Sequence, residues 1–93
     1  IQVMLPSRTS LSAAYPNPFN PSTTISYTLA HQANINLSVY NISGQLIEKL
    51  KNGYQNAGNY EIVWDASQQP SGIYLLRLQS ENESFNQKLM LMK

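Results

Sequence analysis

Three prolines within six residues, Pro16, Pro18 and Pro21, stand directly before an alternating apolar and polar run, and they constrain the fold more than any other feature. Proline lacks a backbone N–H and biases the residue before it toward extended backbone. Neither a helix nor a regular central strand can therefore run through this segment. The chain must reach the strand that follows by an irregular, extended path.

The residues after the prolines alternate with the period of two that is typical of strands. Apolar side chains occupy every second position of residues 24–29 and again of residues 34–40. Turn signals then recur at a spacing of roughly 8 to 12 residues, which is typical of sandwich folds. The pattern predicts an all-β fold of about seven strands, arranged as an antiparallel immunoglobulin-like β-sandwich.

One stretch, residues 45–51, is compatible with two structures. Leu46, Ile47 and Leu50 could form the apolar stripe of a helix. Seven residues closed off by Asn52-Gly53 are, however, too few for a helix that is stable by itself. We therefore predict a strand here, ending at Asn52-Gly53.

Size and charge exclude several classes of protein. Ninety-three residues predict one domain, which we divide into a linker from an upstream domain, residues 1–10, and a sandwich, residues 11–93. Six basic and five acidic side chains give no electrostatic reason to expect nucleic acid or an anionic membrane as a partner. The absence of cysteine excludes disulfides and thiolate chemistry. No segment has the roughly 18 apolar residues of a membrane span.

The chain offers little for catalysis or metal binding. His31 is the single histidine. Glu61 and Asp65 share a strand face at a separation of roughly 13 Å, which is too wide for a glycosidase pair. Asn17, Asn20 and Asp65 could supply oxygen ligands to calcium, but one carboxylate is too little charge for a strong site. We predict no catalytic residue, no metal and no cofactor.

Two tyrosines suggest a different function. Tyr40 and Tyr54 could stack against sugar rings if they formed one exposed platform. Tyrosine is also common in strands because of its β-propensity. A carbohydrate-binding accessory module therefore stays open as an alternative.

The C-terminal segment from Lys88 to Lys93 also has two interpretations. It could be a final strand whose flanking lysines oppose edge-to-edge aggregation. It could instead be an edge strand with free backbone groups, which a receptor captures by β-augmentation.

Four segments, in this order, resemble motifs of the type A C-terminal sorting domain of proteins exported by the bacterial type IX (Por) secretion system. They are Tyr15 to Pro21, Val39 to Leu46, Ser71 to Leu78, and Lys88 to Lys93. The resemblance implies a non-enzymatic signal that directs a larger cargo protein through the outer-membrane translocon of Bacteroidetes-type bacteria. It further implies a secreted or cell-surface location and a sortase-like surface enzyme that removes the domain or anchors the cargo, with cleavage between Ser7 and Ser12.

Individual residues can be assigned to these motifs. We expect the sorting motifs to depend on Pro16, Asn17, Pro18, Gly44, Gly72, Tyr74, Arg77, Lys88, Leu89, Met90, Leu91, Met92 and Lys93. Gly72 would admit a tight approach to its strand, and Tyr74 would anchor the core. Arg77 would bond to neighbouring strands, and the terminal segment would contact the receptor.

A close look-alike keeps another function open. The hook-capping protein of bacterial flagella contains an immunoglobulin-like module with a similar Pro-Asn-Pro-Phe-Asn-Pro opening and Gly-x-Tyr strand. The alternative is therefore a structural or interaction module without a sorting function. The sequence does not determine the oligomeric state.

Overall fold

A computed structural model describes residues 8–93, and within that range the chain forms seven strands and no helix. The strands are β1 Ser10–Leu11, β2 Ser22–Leu29, β3 Ala33–Asn41, β4 Leu46–Gln55, β5 Gly58–Asp65, β6 Gly72–Gln79 and β7 Ser84–Leu91. Every pairing between them is antiparallel. The predicted all-β, seven-stranded sandwich is confirmed. The described residues contain no helix that could cross a membrane.

The strands form two sheets. One has the order β1-β2-β5 and the other β4-β3-β6-β7. Apolar residues meet across the pairs, as Ile25 does with Ile62 and Leu37 with Leu78. Because side chains alternate between the faces of a strand, each sheet turns one apolar face toward the other sheet.

The core lies between these two faces, and its centre is aromatic. The Trp64 ring centre is 5.6 Å from that of Phe19 and 5.5 Å from that of Tyr74. All three rings are buried. Burying one large apolar side chain stabilises a fold by about 1.5–3 kcal/mol. Phe19, which lies among the prolines, is thus a core residue although it belongs to no strand.

Two bulges in strand β4 explain why its apolar residues have a spacing that resembles that of a helix. Its pairing with β3 shifts register twice, so that Leu50 and Ile47 have no direct partner. At such a bulge two residues of one strand oppose one residue of the other. Both side chains consequently pack against the core, three positions apart. The predicted strand is correct, but its predicted end at Asn52-Gly53 is wrong, because β4 continues through Gly53 to Gln55.

The sandwich begins close to the first described residues. Ser10 pairs with Thr28. The hydroxyl of the buried Thr9 accepts a hydrogen bond from the Ala30 N–H, with a distance of 3.0 Å. Two residues that we assigned to the linker therefore contact the sandwich. Residues 1–7 of that linker lie outside the described range, and the division at residue 10 stays a prediction.

Candidate functional site

Residues 15–21, which we call the proline segment, run along the outer edge of β7. The Phe19 N–H donates to the Met90 carbonyl at 2.9 Å, and the Met92 N–H donates to the Phe19 carbonyl at 3.0 Å. Phe19 and Leu91 thereby form a parallel bridge. The segment acts as a short extra strand beside the last strand of the chain.

The side chain of Asn17 extends this pairing. Its Nδ2 donates to the Lys88 carbonyl at 3.0 Å, and its Oδ1 accepts from the Met90 N–H at 3.0 Å. A primary amide has one acceptor and two donors, so it can take the place of a peptide group. The neighbouring Pro16 and Pro18 have no N–H to offer. Asn17 thus supplies the donor that the backbone lacks at this point.

The same segment is bonded to β2 on its other side. Tyr15 and Thr24 exchange two backbone hydrogen bonds of 3.1 and 3.0 Å. The buried Thr23 donates its hydroxyl to the Pro16 carbonyl at 2.7 Å. The proline segment therefore joins one sheet to the other.

Gln87 of β7 makes a second connection between the sheets, which the sequence analysis missed. Its Oε1 accepts from the Ala14 N–H at 2.6 Å, and its Nε2 donates to the Ser12 carbonyl at 2.7 Å. In the sequence, the only indication of this contact is that the polar Gln87 stands between Phe85 and Leu89, at a position of β7 that faces the core. That signal alone does not identify the partner.

These contacts correct one prediction about the terminal strand. The Lys88 carbonyl, both backbone groups of Met90 and the Met92 N–H are already hydrogen-bonded to the proline segment. This half of the β7 edge is therefore not free for a receptor to add a strand. The interpretation as a free edge is wrong here.

The two motif glycines have positive φ angles, of 84° at Gly44 and 153° at Gly72. Among the described residues, no group lies within 4 Å of the position that a Cβ would take at either glycine, so the backbone conformation and not space favours glycine. Gly44 closes a turn in which its N–H donates to the Asn41 carbonyl at 3.0 Å. Gly72 begins β6.

Tyr74 and Arg77 lie on opposite faces of β6. Tyr74 is buried, and its hydroxyl donates to the Pro70 carbonyl at 2.5 Å. The Arg77 Nε donates to Asn86 Oδ1 at 3.1 Å, and its guanidinium carbon lies 5.7 Å from the Tyr40 ring centre. These are structural contacts of the motif residues. Their part in sorting stays a prediction.

Two of the six side chains of the terminal segment are not accessible to a receptor. Leu89 and Leu91 are fully buried in the core. Lys93 is tied to the β5–β6 connection, since its Nζ donates to the Ser67 carbonyl at 2.7 Å and its N–H to Ser71 Oγ at 3.0 Å. The residues with side-chain surface left to contact a partner are Lys88, Met90, Met92 and Lys93.

The residues considered for catalysis or metal binding are not brought together. His31, Glu61 and Asp65 are exposed. Two of the three candidate calcium oxygens, Asn17 Oδ1 and Asp65 Oδ1, already accept backbone N–H groups. Within residues 8–93, no three histidine, aspartate or glutamate side chains are grouped so that they could hold a metal ion.

The two tyrosines of the carbohydrate hypothesis are also separate. Tyr54 of β4 lies opposite Asn34 of β3, and Tyr40 lies six residues further along β3. At about 3.3 Å per residue they are roughly 20 Å apart. Arg77 lies over the Tyr40 ring, so the tyrosines do not form one stacking platform.

Comparison with known proteins agrees with this architecture. The model of the family described as the secretion system C-terminal sorting domain matches residues 13–92, and the chain belongs to this family. The fold is similar to part of the crystal structure of dimeric latent PorU from Porphyromonas gingivalis, with 20% identity and a TM-score of 0.67. That match covers 88% of this chain but 9% of the PorU chain. Among curated proteins no match is found.

Family membership confirms the resemblance that the four motifs indicated. The chain is a type IX sorting domain, which implies export across the outer membrane to the cell surface or the medium. The family is one of sorting signals and not of catalysts. The likeness to PorU concerns the fold alone at this level of identity, and the activity of PorU is not transferred to this chain.

Proposed function

We propose that this chain directs a larger cargo protein, joined to its N-terminal side, through the type IX outer-membrane translocon, and that the translocon recognises the proline segment and β7 as one folded unit. The domain contributes no catalysis and holds no metal or cofactor. Its partners are components of the translocon and, after export, a sortase-like surface enzyme.

The observation that supports joint recognition is the pairing of two motifs that lie about 70 residues apart in sequence. Asn17 and Phe19 together make four hydrogen bonds to the backbone of residues 88–92. In the folded domain two of the six side chains of the terminal segment, Leu89 and Leu91, lie in the core. A receptor that binds the folded domain therefore meets the exposed terminal residues beside Tyr15, Pro16 and Pro18, which are also exposed.

Cleavage by the surface enzyme is best placed at the start of the described range. Within the region from Ser7 to Ser12, Thr9 is buried, and Ser10 and Leu11 pair with β2. Proteases require an accessible segment, which a paired strand does not offer. Arg8 is exposed, whereas Ser7 lies outside the described residues. We place the cut on the N-terminal side of Thr9, which mass spectrometry of the released domain would test.

The experiment that tests the function is export of a fluorescent protein fused between a signal peptide and residues 1–93, in a bacterium with the type IX system. Removing residues 89–93 is a poor control because it deletes the buried Leu89 and Leu91 and destabilises the core. The better pair is Asn17→Ala, which breaks the contact with β7, and Asn20→Ala, an exposed neighbour.

We expect fluorescence outside the cell for the unchanged domain and for Asn20→Ala. Asn17→Ala should remain largely in the periplasm while still giving the circular dichroism spectrum of a folded sandwich. Retention of the unchanged domain would contradict the sorting function and favour a structural module. Export of Asn17→Ala at the normal rate would leave sorting intact but contradict recognition of the two segments together.

A further inference from the structure

The outer face of the four-stranded sheet, turned away from the core, has a contiguous apolar area. Its apolar members are Tyr40, Leu46, Ile73, Leu75 and Met90. They are direct cross-strand neighbours, because Tyr40 lies opposite both Leu46 and Leu75, and Ile73 lies opposite Met90. Leu46, Ile73 and Leu75 are 49%, 40% and 43% exposed. A connected exposed apolar area typically marks an interaction surface, whereas single exposed apolar residues do not.

Basic side chains flank this area on three strands. Lys49 and Arg77 both lie opposite Ser38, and Lys88 lies opposite Leu75. They are half of the six basic residues of the chain. The face therefore combines an apolar centre with a positive rim.

Within residues 8–93, no acidic side chain belongs to the same face. The five acidic residues are Glu48, Glu61, Asp65, Glu81 and Glu83. Glu48 lies opposite the buried Val39 and accepts from the Trp64 indole N–H at 3.1 Å, so it belongs to the core side of β4. The others lie on β5 of the other sheet or in the β6–β7 turn. The positive charge of the face is therefore not balanced locally.

Resting on the function proposed above, we propose that this outer face is a docking surface for a protein of the export machinery whose own surface has an apolar centre ringed by carboxylates. Complementary potentials of this kind bring partners together quickly and fix their orientation. A second copy of the chain fits the face less well, because it would bring basic rims together. The residues come from three of the four sorting motifs, with Lys49 just beyond the second.

A partner that approaches this face cannot instead bind by adding a strand to the neighbouring edge of β7. The proline segment occupies the half of the β7 edge that lies beside this face. A partner at this end of the sheet must bind through side chains and not through the sheet ladder. The docking surface is thus an alternative to the free edge that the sequence suggested.

The chain offers matched variants for a test in the same export experiment. Leu75→Glu places a carboxylate at the centre of the face, and Val63→Glu places one at an exposed position of β5 in the other sheet. Lys49→Glu reverses a charge of the rim. Lys51→Glu is its control and reverses the charge of another exposed lysine of β4. Because of the bulge at Leu50, Lys51 lies opposite Leu37 and therefore on the other face of the sheet.

We expect export to fall about tenfold for Leu75→Glu and about threefold for Lys49→Glu, as for a central and a rim position of an interface. Val63→Glu, Lys51→Glu and the charge-conserving Lys49→Arg should be exported like the unchanged domain. All variants are first checked for an unchanged urea unfolding transition, so that a loss of export reports on docking. Equal export of Leu75→Glu and Val63→Glu would overturn the docking surface while leaving the sorting function intact.

Two further measurements examine the other possible occupants of this face. Sedimentation of the purified domain that shows a dimer, lost in Leu75→Glu, would overturn the proposal in favour of a second copy. Flotation with phosphatidylglycerol vesicles that is lost in Leu75→Glu would overturn it in favour of a lipid surface. A monomer that does not float, together with the export pattern above, supports the acidic protein partner.

Discussion

The contact between Asn17 and β7 offers a quantitative test of how the two motifs are joined. Asn17→Ala removes two hydrogen bonds, to the Lys88 carbonyl and from the Met90 N–H, and leaves the backbone contacts of Phe19 in place. A hydrogen bond contributes about 0.5–1.5 kcal/mol net. Both bonds are exposed, so water replaces the lost partner, and we expect a total loss of about 1 kcal/mol. For a domain of this size that lowers Tm by about 4–8 °C.

Urea unfolding followed by tryptophan fluorescence measures this loss, because the single tryptophan, Trp64, is buried in the core. Hydrogen exchange of the backbone amides shows where in the chain the stability is lost. Exchange of the Met90 N–H should accelerate about fivefold, as a loss of about 1 kcal/mol implies. Asn20→Ala is the control and should change neither quantity. If both variants unfold at the same urea concentration and Met90 exchange is unchanged, the side chain of Asn17 does not hold the terminal strand.

Three other perturbations have defined outcomes. Phe19→Leu should cost about 1–1.5 kcal/mol by calorimetry, because a buried ring packed on the core tryptophan is replaced by a smaller apolar side chain. Gly44→Ala should cost about 1–2 kcal/mol in urea unfolding because φ is 84° there, and Gly44→Asn should cost less. Burial raises the pKa of Tyr27 above its ordinary value of 10.0, so the unfolded chain ionises first and the free energy of unfolding falls as pH rises above 10. Tyr27→Phe should remove that alkaline loss, as urea titrations between about pH 9 and 11 would show.

Much of the sandwich could be predicted because the period of two is a local property of the chain. The apolar side chains of residues 24–29 and 34–40 are buried as the alternation predicts. Local patterns are not sufficient at β4, where Ile47 and Leu50 both reach the core across bulges. A spacing of three is ambiguous until the partner strand, and hence the shift of register, is known.

The sequence indicates which residues to consider for the candidate site, but it does not give their geometry. Pro16, Pro18 and the terminal lysines stand out in the sequence, and the motif order identified the family. The accessible members of the terminal strand, and the role of Gln87 between the sheets, follow only from the packing. No local pattern indicates which of many amides will meet a distant backbone group.

The sequence by itself determined the fold class, the alternation of the main strands and membership of the sorting-domain family, because each depends on neighbouring residues or on motifs read in order. Only the tertiary structure decided that the proline segment covers the edge of β7. Two segments about 70 residues apart meet there. The prolines cannot complete a sheet ladder with β7, so the hydrogen bonds come from the side-chain amide of Asn17 and the backbone of Phe19. Such a pairing arises from the folding of both sheets around one core, which no single segment specifies.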